Sequence, residues 1–145
     1  MGPMQTNQEG AAQPFLGGRV SRGRTLLIDE DPDALHHYCS VLKAWGYEVR
    51  ACRCYEEGMS YLGSEVFDFV IVSQGGHDFE GRCVLERAME INRRLPVLVV
   101  ARCLDITCYL EAMQLGAVDY LTEPVAVSEM ERVFKNHRPT VNHAA

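Results

Sequence analysis

Polar residues that could do chemistry stand at the ends of four apolar runs. Asp29-Glu30-Asp31 follows Thr25-Leu26-Leu27-Ile28, and Ser73 follows the run at 67–72. Ala101-Arg102 follows the run at 96–100, and Glu123-Pro124 closes the one at 118–121. Adjacent carboxylates such as Asp29 and Glu30 suit a hard cation, which takes oxygen ligands. If Glu123 joins them, three carboxylates share one place and need a cation, a proton or an arginine beside them. Arg102 is the natural internal counter-charge. Ser73 offers a hydroxyl, but serine attacks only when a base takes its proton.

The remaining candidates are weaker chemistry. The six cysteines (Cys39, Cys52, Cys54, Cys83, Cys103 and Cys108) contain no C-x-x-C pair. Cys52 and Cys54, two apart, would share a face on a strand, yet a zinc site needs two further ligands. Reduced cysteines in a cytoplasmic protein are the expectation. His36-His37 is a pair on a helix, where neighbours point about 100° apart and do not chelate one ion together. Gly75-Gly76 reads as a loose turn, since no G-x-G-x-x-G or P-loop surrounds it.

The elements that must position these residues alternate in type. Strands are expected at 25–28, 47–51, 67–72, 96–100 and 118–121. Between and after them, helical spacing links Leu35, Tyr38, Cys39, Leu42 and Trp45, then recurs at 56–62, 82–92, 106–115 and 128–136. Asp31 is a good N-cap with Pro32 as first helical residue, Gly46 and Gly116 are helix stops, and Ser128 is a plausible cap. Asp68 belongs to the start of its strand, about 16 Å from Ser73 at 3.3 Å per residue. Five strands alternating with five helices predict an α/β fold with a parallel sheet. In such sheets function gathers outside the carboxyl ends of the strands, where the residues above stand.

Composition bounds the rest. The chain has 145 residues, 47% of them apolar, enough for one domain with a real core. With 14 Lys and Arg against 20 Asp and Glu, the net charge is −6, which argues against a general nucleic-acid binder. No apolar stretch is long enough to suggest a membrane span. Residues 1–23 read as a flexible tail, and Arg19, Arg22 and Arg24, just before the first apolar run, as a solvated basic lead-in. Residues 24–137 read as the folded domain, and 138–145 as a tail or the start of a linker.

Four segments carry a family resemblance: Leu27-Ile28-Asp29-Glu30-Asp31-Pro32, Phe67-Asp68-Phe69-Val70-Ile71-Val72, Pro96-Val97-Leu98-Val99-Val100, and Gly116-Ala117-Val118-Asp119-Tyr120-Leu121-Thr122-Glu123-Pro124. In this order and spacing, the chain resembles the receiver domain of bacterial two-component response regulators. The resemblance implies a flavodoxin-like, doubly wound, five-stranded parallel sheet of order 2-1-3-4-5 with five helices. It also implies phosphoryl transfer from a partner kinase onto an aspartate. That chemistry uses an acidic pair and Mg²⁺, a nucleophilic aspartate after strand three, a hydroxyl after strand four and a lysine after strand five.

Only the acidic pair, Asp29 and Glu30, carries over. Ser73 falls on the nucleophile, Ala101 on the hydroxyl and Glu123 on the lysine, at successive spacings of 44, 28 and 22 residues from Asp29 that fit the family. Serine is a poor acceptor and a poor Mg²⁺ ligand beside carboxylate, alanine offers no hydrogen bond, and glutamate reverses a charge. The expectation is a degenerate pocket in a non-enzymatic pseudo-receiver, with no cofactor and no bound metal. A loosely held Mg²⁺ at Asp29 and Glu30 is the alternative. The alternative function is an atypical phosphoryl acceptor using Ser73 or Asp78. Tyr120 falls on the family's switch aromatic, uncoupled here from Ala101 and fixed inward or outward. The partner is expected to be a protein or a second copy, through the helix 4–strand 5–helix 5 face that carries Glu111, Asp119, Glu129 and Arg132. Neither nucleic acid nor membrane is an expected partner of this domain, and the setting implied is cytoplasmic signalling or transcription control.

Overall fold

The computed structural model describes residues 21–137. The elements run β1 (Arg24–Ile28), α1 (Pro32–Ala44), β2 (Glu48–Cys52), α2 (Tyr55–Ser64), β3 (Phe69–Ser73), α3 (Arg82–Ile91), β4 (Val97–Ala101), α4 (Ile106–Leu115), β5 (Asp119–Thr122) and α5 (Val127–Asn136). The five strands form one parallel sheet in the order β2-β1-β3-β4-β5, as the sequence predicts. Of the expected tails at 1–23 and 138–145, residues 1–20 and 138–145 lie outside the described residues, Arg19 among them. Ahead of β1, the Arg22 amide donates to the Gly46 carbonyl at 3.0 Å.

The three central strands are buried on both faces, which explains their unbroken apolar runs. On one face Leu26, Ile28, Val70, Val72, Val97 and Val99 pack against residues of α2, α3 and α4, including Leu62, Leu85, Ala88 and Ala112. On the other, Leu27, Phe69, Ile71, Leu98 and Val100 pack against α1 and α5. Phe134 of α5 anchors that layer: it stacks on Phe69 with ring centroids 3.8 Å apart and takes the edges of Trp45 and Tyr47. Burying side chains of this size contributes about 1.5–3 kcal/mol each.

Local chemistry sets the helix ends. The Asp31 side chain accepts from the Asp33 amide at 3.1 Å, with Pro32 as first helical residue. Gly46 and Gly116 adopt φ of 96° and 114°, the left-handed stop expected of each. Ser128 is not a cap: α5 begins at Val127 after Ala126, which places Ser128 inside the first turn. Cys52 and Cys54 do not share a strand face either. Cys52 ends β2 and is buried, whereas Cys54 precedes α2 and is exposed.

The strand register brings the functional ends together. Ile28 pairs with Val72, Ser73 with Val100, and Ala101 with Thr122. Asp29, Ser73, Ala101 and Glu123 therefore line one edge of the sheet. Gly81 lets the loop after β3 return to that edge, since a Cβ there would lie 2.2 Å from the Ser73 carbonyl oxygen.

Candidate functional site

Asp29 sits at the centre of this edge, with 2% of its surface exposed. Its Oδ1 accepts from the Asp31 amide at 2.9 Å, a contact made available by the turn into α1. Arg102, at the start of the loop after β4, reaches across. Its guanidinium lies 3.4 Å from Asp29 Oδ1, 3.3 Å from Glu123 Oε1 and 3.9 Å from Asp31 Oδ2. The Arg102 guanidinium, named in the sequence as a candidate counter-charge, thus lies among three carboxylates from two loops. Burial pushes the Asp29 carboxyl above the ordinary aspartate value, against the lowering exerted by the Asp31 amide and by Arg102.

Glu123 is held from a second side. The Tyr38 hydroxyl of α1 donates to Glu123 Oε2 at 2.8 Å. The Glu123 amide donates to the Ala101 carbonyl at 2.7 Å, and the peptide to Pro124 is cis. Burial and then the Glu123 contact push the Tyr38 phenol up, so it stays a donor at all ordinary pH values. Tyr38 was legible only as a core position of α1, because its role depends on where the loop after β5 lands.

Glu30 departs from the expected convergence of Asp29, Glu30 and Glu123. It is exposed and turns toward Ser73, whose Oγ donates to Glu30 Oε1 at 3.5 Å and accepts from the Gly75 amide at 3.3 Å. Ser73 itself is buried, and its carbonyl accepts from the Tyr55 hydroxyl at 3.2 Å. Ala101 is buried and presents only a methyl group. Asp78 is exposed on the loop after β3.

A divalent cation would be held by Asp29 and Glu30. The donor set does not suit it: a serine stands in place of a third carboxylate, and a guanidinium already lies against Asp29 Oδ1. Among the described residues no group of three or more His, Cys, Asp or Glu is arranged to hold a metal ion. What the pocket does hold is a cation covalently attached to the chain.

The second half of the site surrounds Tyr120. Its ring points inward and is buried, with its edge against Tyr109 at 5.5 Å between centroids. Its hydroxyl donates to Gln74 Oε1 and accepts from the Asp105 amide at 3.2 Å. Asp105 caps α4 by accepting from the Cys108 amide at 3.1 Å, and its other oxygen takes the His77 ring Nδ1 at 2.7 Å. That hydrogen bond holds the His77 imidazole above its ordinary value and the Asp105 carboxyl below its own. Sequence reading singled out Tyr120 but not Gln74 or Asp105.

On the face expected to meet partners, three of the four charged residues are engaged in ion pairs. Glu111 pairs with Arg82 of α3, and Asp119 with Arg132 at 3.5 Å. Glu129 is exposed, as are the apolar Leu104, Ile106, Leu110 and Val127. His36 and His37 are both exposed on α1.

Residues 25–135 match the family described as response regulator receiver domain. Among curated relatives, the transcriptional regulatory protein ZraR of Salmonella typhimurium is 25% identical over 118 residues, covering 79% of this chain and 26% of that protein. The two-component response regulator ARR11 of Arabidopsis thaliana is 28% identical over 116 residues, covering 78% of this chain and 22% of that protein. The chain thus spans about a quarter of the length of these relatives. Among solved structures, a CheY-like response regulator receiver domain from Methanospirillum hungatei JF-1 superposes with a TM-score of 0.75 at 22% identity. That alignment covers 84% of this chain and 98% of the other. The ordered strands, the acidic edge of the sheet and the matched span agree: this chain belongs to the response regulator receiver domain family.

Proposed function

We infer that this receiver domain works without phosphorylation, as a protein-interaction module in two-component signalling or transcription control. The observation that carries the reading is the Arg102 guanidinium lying between Asp29 and Glu123. It supplies the positive charge that a metal ion and a lysine would bring, and it needs no ligand to do so. Ser73 and Ala101 support the reading, since neither provides the carboxylate or the hydroxyl of a phosphoryl-accepting pocket. The module carries out no catalysis and requires no cofactor. It acts in the cytoplasm by contact with a protein or a second copy, through α4, β5 and α5, where Ile106, Leu110 and Val127 are exposed beside Leu104 of the loop before α4. A net charge of −6 disfavours nucleic acid as the partner. No described helix is long and apolar enough to cross a membrane.

The test is incubation of the protein with Mg²⁺ and acetyl phosphate, followed by intact mass measurement. The expected result is an unchanged mass. A stoichiometric phosphoryl adduct mapping to Ser73 or Asp78 would establish the atypical acceptor instead.

A further inference from the structure

The loop between β4 and α4 is fastened at both ends. Arg102 ties its start to the carboxylates, and Asp105 ties its end to Tyr120 and His77. The residue joining these fastenings to the loop after β3 is Gln74, which is 4% exposed. Its amide N–H donates to the Val100 carbonyl at 2.8 Å, and its Nε2 donates to the Gly76 carbonyl at 3.1 Å. Those two contacts fix the carboxamide so that Oε1 faces the Tyr120 hydroxyl.

We propose that Gln74 is a built-in latch that keeps Tyr120 inward and so holds α4 and its exposed apolar residues in one permanent arrangement. The inference rests on the phosphorylation-independent reading, and it explains how such a domain keeps a defined surface without a signal at its pocket. The Tyr120 hydroxyl satisfies two groups at once, Gln74 Oε1 and the Asp105 amide. Rotating the ring outward would leave the buried Gln74 oxygen without a donor and the amide at the start of α4 without its acceptor. It would also break the edge contact with Tyr109. Together these hold the outward population below about a tenth. A carboxamide suits this position because it accepts from the phenol and donates to its own loop. A carboxylate could do only the first, and an aliphatic side chain neither.

The experiment is ¹⁹F NMR of the full chain labelled with 3-fluorotyrosine, with the Tyr120 signal assigned by Tyr120→Phe. One narrow Tyr120 resonance is expected in the parent protein, and Gln74→Met is expected to split or broaden it. Should Gln74→Met fail to fold, Tyr120→Phe removes only the hydroxyl. It is expected to speed hydrogen exchange of the Asp105 amide at least tenfold. A Tyr120 signal that is already split in the parent, or one indifferent to Gln74→Met, overturns the latch, as does unchanged Asp105 exchange. Addition of Mg²⁺ and beryllium fluoride separates the latch from the reading beneath it. Shifts at the Asp29 and Ser73 amides that beryllium fluoride adds over Mg²⁺ alone would sink the phosphorylation-independent reading, whereas the latch stands or falls on the Gln74 and Tyr120 variants.

Discussion

The two ends of the sheet carry carboxylates paired with arginine, and the pairs differ in kind. At the amino end, Glu65 takes Arg24 at 2.7 Å and Arg50 at 3.0 Å in contact with solvent, and these partners pull its carboxyl below the ordinary value. Asp68 there accepts from the Arg24 amide at 2.8 Å, which ties the start of β3 to β1. At the carboxyl end, Asp29 is buried and its carboxyl is raised although Arg102 lies 3.4 Å away. The first arrangement is what surface ion pairs do for a fold. The second burdens the fold, because a charge removed from water is only partly compensated. At the carboxyl end the positive charge beside Asp29 and Glu123 comes from Arg102.

Substitutions that load or unload the two ends should separate them. The largest effect is expected from Ser73→Asp, which adds a carboxylate beside Glu30 and Asp29. It should destabilise the protein by about 2 kcal/mol at neutral pH. Millimolar Mg²⁺ should recover part of that loss, as read by denaturant melts with and without the ion. No recovery would mean that the pocket has lost its cation geometry as well as its ligand.

A smaller pair of effects has opposite signs. The native Asp29 value is raised above the unfolded one, so its ionisation reduces stability as pH rises from about 4 through the native value. Asp29→Asn should therefore stabilise the protein by about 1 kcal/mol at neutral pH, and the gain should vanish below the ordinary aspartate value. Glu65 behaves the other way: its lowered value contributes stability above the unfolded glutamate value that is lost as pH falls. Glu65→Gln should thus cost stability at neutral pH, by less than Asp29→Asn gains, and the cost should shrink in salt. Equal signs for the two variants would remove the distinction between the ends.

Much of this was legible in the sequence, for identifiable reasons. The runs from Leu26 to Ile28 and from Val97 to Val100 are apolar because those strands are covered on both faces, so their pattern announces a parallel sheet. Asp31-Pro32, Gly46 and Gly116 mark helix ends by local backbone chemistry alone. Arg102 could be picked because one positive side chain follows β4 where three carboxylates were expected. The misses are tertiary. Ser128 has the right type for a cap, but α5 starts one residue earlier. Glu30 was expected beside Glu123, yet its side chain follows Ser73. Tyr38 and Gln74 read as a core residue and a loop residue, because the groups they serve arrive from 85 and 46 residues away.

The central claim, that Arg102 is the pocket's resident cation, is tested most directly by titrating Mg²⁺ into ¹⁵N-labelled parent protein and Arg102→Met. The account predicts that millimolar Mg²⁺ leaves the Asp29, Glu30 and Glu123 amides of the parent unmoved and shifts them in the variant. Equal shifts in both proteins, or none in either, would contradict it.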